Sequence, residues 1–256
     1  MNNIVKFGYV MIIFLSLFFV VADAYAEMAT PFEVKTRPFV FIKDINVKKD
    51  FWKMVVKVRD KWTVVKDGRE HSEMVIVDAK GTDAQVVIPT AYKAETDKMI
   101  EENTTYTLSN FLVLTNDLFF KPSDNKYKLI WTGGTTTVDP NVHDIPDNDL
   151  KFKPFAEIVV GKWRSDLLYH VIGYVHEIGY CQVNQGVSKK LQVNLTLKDI
   201  SDISLNCTLW EDYAAKFIKF NNDNKESGPV ILMLKYGKIM EEACFLFYIF
   251  LLYCYI

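Results

Sequence analysis

From Phe51 the chain reads FWKMVVKVRDKW, and Met54, Val56 and Val58 alternate with Lys53, Lys57 and Arg59. A period of two predicts a β-strand with one buried face. A polar segment, VVKDGREHS, separates it from EMVIVD, and the turn AKGTD joins that run to AQVVIP. Two β-rich runs linked by Asp/Gly chemistry predict a hairpin. Next come AETDKMIEE, short and compatible with a helix, and the strand-like TYTLSNFLVL and NKYKLIWT. The predicted order is three strands, a short helix and two strands.

The second half repeats this order. LLYHVIGYVHEIGY leads through a polar CQVNQGVSKK to LQVNLTLKD, the turn ISD, ISLNCTLW, a helix-like EDYAAKFIKF and PVILMLKYGKI. Val77-Asp78 and Lys198-Asp199 fall at equivalent hairpin positions, which marks an internal duplication. Between the copies, the Gly/Pro/Asp-rich stretch from Thr132 through Pro140 and Pro146 to Pro154 marks the boundary. Five strands with a helix between the third and fourth is the order of the OB fold, a partly open Greek-key barrel. The fold class is therefore all-β with short helices: two tandem five-stranded OB barrels, residues 27–148 and 149–242. The second lacks its last strand unless the chain beyond residue 242 supplies it.

The two ends depart from this pattern. Residues 1–26 carry Lys6, an apolar run from Val10 to Ala22, and Ala24-Tyr25-Ala26, the small-x-small site of a cleaved signal peptide. A membrane anchor is the other reading, but the run is short for a bilayer and Asp23 follows at once. The tail, residues 243–256, is ACFLFYIFLLYCYI, below the roughly 17 residues a spanning helix needs. It reads as a last strand of barrel two, a membrane contact or a segment foreign to the fold.

Composition narrows the function. Half of the 256 residues are hydrophobic and 14% are aromatic, enough to fill two cores. Thirty Lys and Arg against 32 Asp and Glu leave a net charge of −2, so binding to nucleic acid must come from a local groove. Cys181, Cys207, Cys244 and Cys254 form neither a CxxC pair nor a zinc-spaced cluster, so no metal or other cofactor is expected. His71, His143, His170 and His176 stand singly, and no nucleotide-loop, nucleophile-elbow or zincin motif occurs, so no enzyme is expected. Asn103, Asn194 and Asn206 head glycosylation sequons, the last two inside predicted strands.

The strings MATPFEV, FIKDINVKKDFWKMVVKVRDKW, SEMVIVDAKGTDAQVVI, NKYKLIW, HVIGYVHEIG and CTLWEDYAAKF resemble the central DNA-binding barrels of the replication protein A large subunit in its plant form, over Met28 to Glu242. The leader resembles those of legume nodule-specific cysteine-rich peptides. The first resemblance implies single-stranded DNA as ligand, RNA being left open, other replication protein A subunits as partners, and a role in replication, repair or recombination. It implies the nucleus, whereas the leader implies the secretory pathway. A secreted OB-fold interaction module with a vestigial nucleic-acid face is the alternative.

In relatives, bases stack on aromatic side chains, typically worth ~1 to 3 kcal/mol per base. Trp210 matches the third-strand position of barrel two, with core packing as its other reading. The fourth-strand position of barrel one matches Phe119 or Phe120, and its third-strand position holds Ile88. Phosphate contacts are expected from Lys57, Arg59 and Lys61, on one side of the first strand, from Lys66 and Arg69 in the following loop, and from Lys189 and Lys190 in the matching loop of barrel two. A solvated polar face is the competing reading for each of these lysines.

Overall fold

The structure is a computed structural model that describes residues 37–49, 51–138, 145, 150–182, 191–225, 228–240, 244–246 and 251–255. Residues 1–38 form a unit of their own, and both barrels belong to the unit formed by residues 39–256. The leader of residues 1–26 lies outside the described residues.

Barrel one opens with β1 (Lys53–Lys66) and β2 (Arg69–Val77), joined by Asp67-Gly68 alone. Both turn residues have positive φ, 51° and 72°, the conformation of the tight hairpin turn that suits Asp-Gly. The segment expected as a polar loop is therefore strand, with Lys66 paired to Arg69. Its polarity reflects solvent on both faces of a hairpin end, where Lys66 and Arg69 are both exposed. Strand β3 (Asp83–Ile88) completes the meander, and α1 (Thr90–Met99) starts behind Pro89, whose φ of −56° presets the helical entry.

The expected fourth strand is one strand broken in two. Asn110, at φ 60°, turns the chain between β4 (Thr105–Ser109) and β5 (Leu112–Thr115), and Asn is among the few residues that take this conformation readily. Strand β4 pairs with β1, whereas β5 pairs with β6 (Tyr127–Ile130), which runs parallel to β3. The bend thus closes the barrel that the predicted strand order implies. A short β7 (Thr136–Val138) adds to β4, and a short helix, α2 (Phe155–Val159), leads into barrel two.

Barrel two repeats the plan with β8 (Leu168–Gln182), β9 (Gln192–Lys198), β10 (Ser204–Trp210), α3 (Glu211–Asp223) and β11 (Ile231–Lys238). Two tail strands follow: β12 (Cys244–Leu246), parallel to β10, and β13 (Leu251–Tyr255), antiparallel to β11. In barrel one β6 makes the same two pairings by itself, parallel to the third strand and antiparallel to the fourth. Within the described residues the tail pairs as two short strands where one last strand was expected.

The duplication is visible down to single hydrogen bonds. The Asp78 Oδ1 accepts from the N–H of Lys80 (2.9 Å) and of Thr82 (3.1 Å), and Asp78 N–H donates to Thr82 O (3.0 Å). Asp199 Oδ1 accepts from the N–H of Ser201 (2.9 Å) and of Ile203 (3.0 Å), and Asp199 N–H donates to Ile203 O (3.2 Å). A residue of positive φ follows in both turns, Gly81 in one and Asp202 in the other. Carboxylate-capped turns of this kind explain why an Asp stands at both hairpins.

Each barrel has its own core, and Met54, Val56 and Val58 lie in the first as their alternation requires. Packing also fixes Gly173: a Cβ there would stand 2.8 Å from the Lys198 carbonyl and 2.9 Å from the Phe155 ring.

A third cluster, Trp62, Val75, Leu168 and Tyr236, joins the two barrels, and two β-bulges create it. In β1 the register passes from Val58↔Ile76 to Asp60↔Val75, so Arg59 is the extra residue and the side-chain parity inverts beyond it. Asp60 and Trp62 therefore face away from the core of their own barrel. In β11 the register skips between Leu234 and Gly237, and Tyr236 takes φ 57°. For a bulky residue that conformation carries strain, which the surrounding contacts must outweigh. Asp60, 2% exposed, accepts from the Lys235 ammonium (2.7 Å) and the Tyr236 hydroxyl (2.6 Å). The Tyr236 N–H donates to His170 Nδ1 (3.2 Å), and the ring packs against Trp62 at 5.2 Å between centroids. Asp60, Lys235, Tyr236 and His170 are thus linked in one buried polar network.

Candidate nucleic-acid interface

The bulge separates the three basic residues expected on one side of β1. Lys57 is buried and donates to the Ile145 carbonyl (3.3 Å). Arg59, at the bulge, pairs with Asp83 (3.3 Å). Lys61 lies past the bulge on the opposite face, where it donates to the Ile100 carbonyl at the end of α1 (2.7 Å) and pairs with Asp97 (3.4 Å). The shared basic stripe is therefore not formed, because one inserted residue inverts the alternation on which it rests.

Lys66 and Arg69 are placed as expected, exposed where the β1–β2 hairpin ends. Beside that end runs the β5–β6 connection, residues 116–126, which carries Phe119 and Phe120. Both rings stand in this loop and not on the fourth strand. An open pocket of about 460 Å³ is lined by Val64, Lys66, Glu73, Leu118, Phe119, Phe120 and Leu168. Phe119 is 83% exposed and Phe120 44%. Sequence reasoning missed Lys238, which comes from barrel two and sets its ammonium 4.0 Å from the centre of the Phe120 ring, a cation–π contact. Period-two alternation puts Lys238 in phase with the buried Leu232 and Leu234, and the bulge between Leu234 and Gly237 turns it outward, so the alternation in the sequence carried no signal for it.

The loop is held by the segment that enters barrel two. Lys121 N–H donates to the Asp166 carbonyl and Leu168 N–H to the Lys121 carbonyl, each at 2.9 Å. The Lys121 ammonium meets the Asp166 carboxylate at 2.8 Å, and Arg164 bridges Asp166 and Asp124. Hydrogen bonds from Arg164, then Lys121, hold the Asp166 carboxyl well below the usual carboxylate range. A wider cleft of about 920 Å³ lies next to this anchor, lined in part by Arg59, Lys80, Asp83, Lys151, Tyr169 and His170. Burial pushes His170 down to about 4, against a smaller opposing pull from Asp60.

Ile88, aligned with a third-strand stacking position, is fully buried in the first core, and Val87 is its half-buried, outward neighbour. In barrel two the alternation places Trp210 outward: Leu209 is buried in the core and Trp210 is half-buried at the end of β10, opposite Gln192. The face that it shares is amide- and hydroxyl-rich. Asn194 Oδ1 accepts from Gln192 Nε2 (2.9 Å) and from the Thr208 hydroxyl (3.0 Å), and the Thr196 hydroxyl reaches Asn206 Oδ1 (3.4 Å). Two of the three sequon asparagines thus have their side chains tied within a sheet. Lys189 and Lys190 lie outside the described residues. Among the described residues, no three His, Cys, Asp or Glu side chains gather as metal ligands, and no helix is long and apolar enough to cross a membrane.

Residues 43–161, which span barrel one and the segment after it, match the model of a family described as a domain of unknown function, DUF223. No curated protein matches the chain. One chain of a replication protein A heterotrimer bound to single-stranded DNA superposes with a TM-score of 0.50 at 18% identity, over 79% of this chain and 47% of that one. This chain therefore spans about half the length of that one, and the likeness identifies the fold as tandem OB barrels. DNA-binding domain A of S. cerevisiae replication protein A matches 42% of the chain with 98% of its own length, at 13% identity and a TM-score of 0.34. Fission yeast Pot1 with single-stranded DNA matches 87% of the chain with 85% of its own, at 10% and 0.30.

Proposed function

We propose that this chain is a non-enzymatic single-stranded DNA-binding protein of the replication protein A large-subunit type, acting in replication, repair or recombination. The observation that carries the reading is the exposed Phe119 ring, which lines one pocket with Phe120 and Lys66, while Lys238 stands against Phe120. Two neighbouring exposed rings beside an apolar pocket form a patch of the kind that marks a binding surface. A base has a π-face to cover such a ring, and cations at the rim suit the phosphates on either side. On this reading Trp210 is the platform of barrel two, surrounded by hydrogen-bonding side chains, and the partner subunits are those of a replication protein A complex.

The test is binding of a labelled oligo-dT by fluorescence anisotropy across a salt series, with duplex DNA as competitor. With Lys66, Arg69 and Lys238 as phosphate contacts, log affinity is expected to fall with log salt at a slope of about −2. Duplex DNA should compete poorly. Equal affinity for duplex and single strand, or a flat salt dependence, would overturn the proposal.

A further inference from the structure

We infer that the pocket beside the β1–β2 hairpin end selects a nucleobase bearing an exocyclic amino group, cytosine over thymine, and that Glu73 does the selecting; this rests on the single-stranded DNA reading above.

Among the described residues that line the pocket Glu73 is the only acidic one, the others being Lys66, Val64, Leu118, Leu168 and the two phenylalanines. It stands on β2 opposite Trp62, on the outward face. Two donors hold its carboxylate: Gln85 Nε2 at 2.9 Å from one oxygen and His71 Nε2 at 3.2 Å from the other. A carboxylate offers about four acceptor positions, so each oxygen keeps capacity for a ligand while its orientation is fixed. The side chain is 13% exposed, so its oxygens are largely shielded from water and gain from a donor that enters.

The surroundings set what that donor belongs to. The Phe120 ring already has the Lys238 ammonium against it, which leaves the more exposed Phe119 ring as the free stacking surface. Lys66 and Lys238 supply positive charge at the rim, and Glu73 supplies the acceptor inside. This charge pattern fits a phosphodiester-linked base that presents a donor edge. Cytosine presents an N4 amino group, for which Glu and Asp are the matching acceptors, whereas thymine presents its O4 acceptor at that place and would face one acceptor with another.

The test compares oligo-dC, oligo-dT and an oligomer of the pyrimidin-2-one deoxynucleoside, which keeps the cytosine ring without the N4 amino group, at pH 7.5 and fixed salt. Wild-type protein should bind oligo-dC about tenfold more tightly than oligo-dT, the order expected of one hydrogen bond to a charged group. The pyrimidin-2-one oligomer should bind no better than oligo-dT, a result that requires no protein variant. In Glu73→Gln the dC:dT ratio should fall to near one. Equal binding of all three oligomers by wild type, or an unchanged ratio in a folded Glu73→Gln, overturns the selection and leaves the single-strand reading standing. Failure to bind any of the three overturns that reading and this inference with it.

Discussion

Asp60→Ala removes the buried carboxylate that ties β1 of barrel one to β11 of barrel two. In the native protein Asp60 accepts from Lys235 and Tyr236 at 2.7 and 2.6 Å, and all three side chains are buried. The variant leaves an ammonium and a phenol without their acceptor in a place water reaches poorly. Breaking a buried ion pair from one side costs about 3–5 kcal/mol, because the stranded charge has been desolvated with nothing to offset it. For a chain of this size that corresponds to a fall in melting temperature on the order of 10 °C. Urea unfolding followed by circular dichroism measures the loss, and hydrogen exchange locates it: amides around Trp62, Val75, Leu168 and Tyr236 should lose protection first, while each barrel's own core keeps its protection. A second variant separates the stranded charge from lost packing. In Asp60→Leu/Lys235→Met/Tyr236→Phe the polar set is replaced by apolar groups of similar size, and stability should return to within about 1 kcal/mol of wild type or exceed it. A loss below about 1 kcal/mol in Asp60→Ala, or a triple variant as unstable as the single, would refute the account of the interface as a buried ionic lock.

His170 links the same interface to pH: its folded value of about 4 lies below the ordinary 6.5, so its contribution is complete above pH 6.5 and is lost as pH falls toward 4, by about 3 kcal/mol over that window. His170→Asn, whose carbonyl oxygen can accept the Tyr236 N–H, should flatten that part of the stability profile measured by urea titration at each pH. Trp210→Ala should weaken oligonucleotide binding by ~1 to 3 kcal/mol with the melting temperature nearly unchanged, and a large stability loss with intact binding would move the ring into the core. Deleting residues 243–256 removes β12 and β13 and should lower hydrogen-exchange protection in β10 and β11, but not in β1–β4. Equal protection after the deletion would show that barrel two closes without its tail strands.

The strand order and the repeated turn were legible, because each rests on a local signal. Period-two runs mark strands, and an Asp that caps its own turn marks Val77-Asp78 and Lys198-Asp199 alike. The bulges were not legible. In VKVRDKW the extra residue, Arg59, opens the charged run Arg59-Asp60-Lys61, so the run stays polar whichever of its residues is skipped. Asp60 was the available hint: it falls in phase with Met54, Val56 and Val58, and a carboxylate on the supposedly buried side asks for a partner. Lys61 moved to the far face for the same reason, and took its place in the site with it. Lys66 and Arg69 are exposed as expected because a hairpin end carries its residues at the surface whatever the register does inside, whereas Phe119 and Phe120, expected on the fourth strand, are exposed because they stand in the loop after it.

The interface also decides where a ligand could be met. The outward face of β1 and β2 in barrel one carries Asp60, Trp62 and Val75, and these are buried against Leu168 and Tyr236 of barrel two. A strand of nucleic acid has no access to that part of the sheet while the lock is closed. On the proposed reading, contact with barrel one is therefore displaced toward the hairpin end and the 116–126 loop, where Lys66, Phe119 and Phe120 stand and where Lys238 arrives from the other barrel. The corresponding face of barrel two keeps Asn206 exposed and Gln192, Asn194, Thr196, Thr208 and Trp210 half-buried. Two copies of one fold have thus become unequal: in one the sheet face joins the barrels and a loop pocket is left for the ligand, and in the other the sheet face itself stays open. Because both surfaces belong to barrels tied by Asp60, Lys235 and Tyr236, loosening that tie should change binding to the two together, and Asp60→Ala is the variant in which stability and affinity are expected to fall in step.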